Sequence, residues 1–151
     1  MDPTKKELYT AKRSSGVDAS NPKLQEMIDL LKSDADPTNF LIFKVVESKV
    51  EPHAFGMGGI TQFSSCLDDD DVYYGAIRCS VGGMVKFYHV YFVGENVGGM
   101  KKGKASMFKP TIFGMIDAQG EITCNGGMDE YSQEFIIANI AKLSGCAEIE
   151  A

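Results

Sequence analysis

VKFYHVYFVGENVGGMKKGKASMFK, residues Val85–Lys109, is the stretch whose reading decides the fold. Its first part, through Val93, is aromatic and β-branched, the composition of a strand. The strand stops at Gly94-Glu95-Asn96-Val97 and a lysine cluster follows. Five lysines (Lys86, Lys101, Lys102, Lys104, Lys109) stand against one acid, Glu95, in a chain of 151 residues whose net charge is −6. A local positive patch on an acidic chain fits an acidic partner, not general nucleic-acid binding.

The spacing predicts a helix opening after Gly98-Gly99. Lys101, Lys102 and Lys104 sit at its start, where positive charge opposes the helix dipole. With Lys109 they spread over roughly 160°, as an ordinary polar face would also do. Stability alone would place acids in a first helical turn, so the conflict points to function. Phe108, Ile112, Met115 and Ile116 make an apolar stripe, so the first half of the helix faces out and the second packs in. Pro110 stands between the halves and is expected to bend or restart the helix. Gly98, Gly103 and Lys104 carry the glycine and lysine spacing of a phosphate loop. Ala105 follows where that loop needs Ser or Thr for magnesium, so the match fails.

Working outward, residues 1–20 read as a poorly ordered extension, with a helical turn around Lys5–Lys12 and basic residues Lys5, Lys6, Lys12 and Arg13. Asn21 and Pro22 open a helix whose stripe is Leu24, Met27, Ile28 and Leu31. Phe40–Val46 and Lys49–Phe55 are strands joined by Glu47-Ser48, with Pro52 at an edge or bulge. Ile60, Phe63 and Leu67 mark a short helix running to the acidic stop Asp68–Asp71. Val72–Ser80 and Val85–Val93 form a hairpin around Gly82-Gly83. Glu121–Cys124 is a last short strand. Asp129–Leu143 is a final helix with stripe Phe135, Ile136, Ile140 and Leu143, and Gly145 stands where a C′ glycine would. The order α-β-β-α-β-β-α-β-α predicts an α/β (α+β) fold: a single mixed, mostly antiparallel five-stranded sheet with helices on both faces. One domain spans residues 21–146, with residues 147–151 as a tail.

Composition excludes several classes. No apolar run reaches the length of about 18 residues that a membrane span needs, so no transmembrane segment is expected. MDPTKKELYT lacks the apolar core of a secretory signal. Cys66, Cys79, Cys124 and Cys146 show no C-x-x-C spacing and read as reduced thiols of an intracellular protein. Asp68–Asp71 lacks the alternating ligands and mid-loop glycine of a calcium loop, and reads as a solvated acidic turn. His89 alternates with Phe87 and Tyr91 within a strand, as a sheet histidine with its hydrogen bonds met. No metal site, cofactor or catalytic constellation assembles, so the chain reads as a non-enzyme.

The run KFYHVYFVGENVGGMKKGKAS resembles the hallmark segment of actin-depolymerising-factor homology (ADF/cofilin) domains, and within these the coactosin group. NFLIFK (Asn39–Lys44) is similar to the family's first strand, LDDDDVYYGAIR (Leu67–Arg78) to its acidic turn and third strand, and Glu134–Gly145 to its last helix. The resemblance implies the order of elements read above and non-enzymatic actin binding by a cytoplasmic, cytoskeletal monomer. It implies that Lys86 matches a lysine with which coactosins hold filaments. It also implies that Met100, Lys101, Lys102 and Lys104 match the start of the helix that docks on actin; Lys109 completes the candidate set. The chain departs from the pattern in three places. The hairpin before Lys86 is short, Gly103 and Pro110 lie within the docking helix, and no serine directly follows Met1 as in phosphorylation-regulated cofilins. Binding at the filament side is the first expectation. The alternatives are a cofilin-like monomer-binding depolymeriser, and a module whose lysines hold phosphoinositides or a regulatory protein.

Overall fold

The computed structural model describes residues 16–126 and 132–151. The helical turn expected around Lys5–Lys12, with Lys5, Lys6, Lys12 and Arg13, lies outside the described residues, as does the start of the final helix expected at Asp129. The elements are α1 (Pro22–Lys32), β1 (Phe40–Val46), β2 (Lys49–Gly56), α2 (Gly59–Ser65), β3 (Val72–Val81), β4 (Met84–Val93), α3 (Gly99–Phe113), β5 (Gly120–Asn125), α4 (Gln133–Ser144) and β6 (Ile149–Glu150).

Local chemistry sets most of the boundaries. The Asn21 side chain accepts the Lys23 N–H, and Pro22 fills a first-turn position that needs no donor. The Ser132 hydroxyl caps α4 by accepting the Phe135 N–H at 3.1 Å, and Gly145 ends it in the left-handed conformation, φ 71°. Gly82 and Gly83, φ 57° and 81°, make the two-residue turn between β3 and β4. α2 stops at Ser65, so Leu67 packs on the core from a loop and not from the helix as expected. β1 and β2 slip register between Ile42 and Phe43, which pair with Ala54 and Pro52. The extra residue is His53, and the bulge absorbs the missing Pro52 donor.

The sheet order is β2-β1-β3-β4-β5. The β1–β2, β1–β3 and β3–β4 pairs are antiparallel, and β4–β5 is parallel. This is the mixed five-stranded core that the pattern predicts. A short sixth strand, β6, joins it by pairing Ile149 with Val81, within the stretch read as a tail. At the other edge Val17 is buried, and Asp18 is bridged to Lys49. Strand alternation sends side chains to two cores. On one face Leu41, Phe43, Tyr74 and Tyr91 meet Leu24, Leu31, Ile112 and Phe113 of α1 and α3. On the other, Phe40, Ile42, Tyr88 and Phe92 meet Phe63 of α2 and Ile136 and Ile140 of α4.

α3 runs unbroken through Gly103 and Pro110 from Gly99 to Phe113. The restart expected at Pro110 does not occur. Proline lies three residues from the C-terminal end and removes one main-chain donor there, a loss that the packing of Ile112 and Phe113 outweighs.

Candidate functional site

The Gly94–Val97 turn acquires its shape from a partner far away in sequence. It lies against the acidic turn Asp68–Asp71. The Asn96 N–H bonds the Asp69 carbonyl at 2.8 Å, the Asn96 side-chain amide donates to Asp70 at 3.0 Å, and the Gly94 N–H bonds the Asp71 carbonyl at 3.0 Å. A Cβ on Gly94 would stand 2.4 Å from the Asp69 carbonyl oxygen, so only glycine allows this approach. Val97 is buried beside it. The acidic turn is solvated as read, with Asp68 and Asp70 exposed, and it also forms a receptacle for the root of α3. Asp68 accepts the Asp70 N–H and the Tyr73 hydroxyl, which hold its carboxyl below the usual carboxylate range.

From that root α3 projects with little support. Its cap residue, Gly98, offers no side chain, and its first turn holds no acid. Nothing stands within 4 Å of where a Cβ would lie on Gly98, Gly99 or Gly103. The first firm attachment is Ala105, buried, whose carbonyl accepts the hydroxyl of the buried Tyr74 at 2.7 Å. Burial pushes that hydroxyl's pKa upward, which keeps it a donor. Beyond this point Phe113 stacks on His89 with centroids 4.3 Å apart.

The structure brings Met100, Lys101, Lys102 and Lys104 together on the unsupported half. Met100 is 81% exposed. Met107, which sequence reasoning missed, is 64% exposed and shares a stripe with Met100 and Lys104 at i, i+4 and i+7. That spacing was its available signal. Lys101 bonds Asp71 at 3.0 Å, while Lys102 and Lys104 have no ion pair among the described residues. A cleft of about 230 Å³ opens between α3 and the β1–β2 turn, lined by Val45, Glu47, Asp71, Lys101, Lys104 and Phe108.

The other two candidates lie elsewhere. Lys109 bonds Glu121 at 2.9 Å and sits 4.8 Å from the centre of the Tyr91 ring, tying α3 to β5. Lys86 alternates with Tyr88, Val90 and Phe92, so it occupies the face that α4 covers, opposite α3. Seven residues of β4, about 23 Å, separate it from the α3 root. Lys86 is half-buried. Its neighbours toward the turn, Met84 and Val85, are exposed, as is Leu143, which the stripe of α4 had placed inward.

No helix among the described residues is long and apolar enough to cross a membrane. His53 and His89 have their ring Nε2 atoms on the carbonyls of Cys66 and Ile116, at 2.7 and 2.6 Å.

Comparison with known proteins places this arrangement. The chain is 26% identical over 145 residues to a drebrin-like protein of Dictyostelium discoideum, a match covering 88% of this chain and 28% of that protein's length. Its fold is similar to human coactosin-like protein, with a TM-score of 0.76 and 20% identity over 83% of this chain and 98% of that one. It is also similar to coactosin from Entamoeba histolytica, with a TM-score of 0.73 and 23% identity over 87% and 98%. Residues 16–140 match the family described as "Cofilin/tropomyosin-type actin-binding protein". The strand, glycine turn and lysine-bearing helix thus belong to a member of the cofilin/ADF family of actin-binding proteins.

Proposed function

We propose that the protein binds the side of actin filaments through two separated surfaces, without enzymatic activity, in the cytoplasmic cytoskeleton. The first is the free half of α3, where Met100 and Met107 flank Lys104, with Lys101 and Lys102 beside them. The second lies around Lys86. The observation that carries this reading is the unsupported start of α3. A helix that exposes two methionines and two lysines without an ion pair among the described residues, against its own dipole, is built for a partner. Methionine adapts to an uneven surface, and lysine desolvated against a carboxylate adds affinity that a rim lysine would not. Lys109, held by Glu121, serves the fold.

Two surfaces on opposite faces suit a ligand that offers two neighbouring subunits, which is what a filament does. Co-sedimentation with filamentous actin tests this. Lys102→Ala/Lys104→Ala should weaken pelleting about tenfold. Lys86→Ala should sharply reduce pelleting while leaving binding to monomeric actin intact. Unchanged pelleting of Lys86→Ala would remove the second surface.

The alternative of a monomer-binding depolymeriser is favoured by the two-residue Gly82-Gly83 turn, which leaves no basic loop near Lys86. It predicts that the protein raises actin in the supernatant instead of joining the pellet. Phosphoinositides would compete for the same α3 lysines, and flotation with vesicles containing them reads that directly.

A further inference from the structure

Among the α3 lysines of the free half, Lys101 is the one with an ion-pair partner among the described residues, and the geometry of that partner is informative. Asp71 Oδ1 accepts its neighbour's N–H, from Val72, at 2.8 Å, and the Asp71 carbonyl accepts the Gly94 N–H. The carboxylate is thereby fixed by main chain at the foot of α3, a quarter exposed, and Lys101 reaches back to it with its own side chain half exposed. Lys104 lines the same cleft without such a partner among the described residues. Val45 and Phe108, partly buried against the core, give the cleft apolar lining.

We infer that Asp71 is an internal stand-in for a carboxylate of the partner: it holds Lys101 at the cleft until an acidic side chain of actin enters and takes the lysine over. The inference rests on the docking role proposed for α3. An exposed lysine on a four-carbon stem samples many rotamers, and the ion pair limits them at the place where the incoming carboxylate must arrive. The same pair competes with docking. Asp71 therefore positions Lys101 and tempers the affinity, and the cleft selects a partner whose acidic group is accompanied by apolar surface.

The test is co-sedimentation with filamentous actin using Asp71→Asn, Lys101→Ala, their double variant, and Glu26→Gln, an exposed acid of α1, as a control for net charge. Asparagine keeps an oxygen for the Val72 N–H, so Asp71→Asn removes charge and little else. Asp71→Asn should bind about two- to fivefold tighter, the range of an exposed pair. The gain should vanish in the Lys101→Ala background and be absent from Glu26→Gln. Equal or weaker binding by folded Asp71→Asn overturns the inference, as does a gain that survives Lys101→Ala. A second readout is independent of how Asp71→Asn folds. Lys101→Ala should cost less binding than Lys104→Ala, because Lys101 must leave a partner first; the reverse order also overturns it. If neither Lys102→Ala nor Lys104→Ala weakens binding, the docking role of α3 falls, and this inference with it.

Discussion

His89 sits at the junction of sheet and helix as a neutral ring. Its Nε2 donates to the Ile116 carbonyl and its face lies on Phe113, so burial holds its pKa below the ordinary 6.5. Glu121, Asp117 and Lys32 are the charges around it, and Lys109 reaches the same Glu121. With the folded pKa below the unfolded one, the unfolded chain binds the proton first as pH falls. The stabilisation is therefore complete above 6.5 and is lost on acidification below it. Thermal melts between about pH 7 and pH 5 should show a falling Tm. His89→Gln, which keeps a donor for Ile116 and does not titrate, should start lower and change less. The effect stands apart from carboxylate titration: Asp68, held low by its two donors, loses its contribution only below 3.8. At this scale the sequence was readable in part. Alternation with Phe87 and Tyr91 marked His89 as a sheet residue, but the stacking on Phe113 and the bond to Ile116 are products of tertiary packing.

The β1–β2 hairpin carries a conformational cost. Glu47 and Ser48 have φ of 50° and 63°, the left-handed region, in a turn that asparagine and glycine occupy more readily. Both residues line the cleft beside Lys101. Glu47→Asn/Ser48→Gly should stabilise the protein by about 1 kcal/mol in denaturant titration, through relieved strain alone. Element boundaries were legible because strand composition, caps and glycine turns are local signals. Three features were not. β6 is two residues long and exists only because Val81 offers an open edge. Pro110 falls near a helix end, where one lost donor is tolerable. The docking of Gly94–Asn96 on Asp69–Asp71 links residues 26 apart, and no periodicity carries such a contact.

At the scale of the molecule, the charge pattern read from Val85–Lys109 divides in space. Lys101, Lys102 and Lys104 gather at one end of α3 on an otherwise acidic chain, an arrangement that would orient encounter with an acidic partner. Lys86 is carried to the opposite face by the period of the strand, and Lys109 inward to Glu121. Linear proximity suggested one patch, and the pleat of β4 makes two.

The parallel pairing of β4 with β5 has a kinetic consequence. Antiparallel neighbours β3 and β4 close through two glycines, whereas β5 reaches β4 only after the chain has travelled from Gly94 to Gln119 through the whole of α3. Long closures lose more entropy before native contacts compensate, so this pairing should be a late step of folding. The lysine-bearing helix is the connection that this step locks down. In stopped-flow refolding, recovery of the proposed actin binding should therefore lag behind recovery of the far-ultraviolet circular dichroism signal. A chain arrested before β5 adds to the sheet would possess most of its secondary structure and no competence to bind.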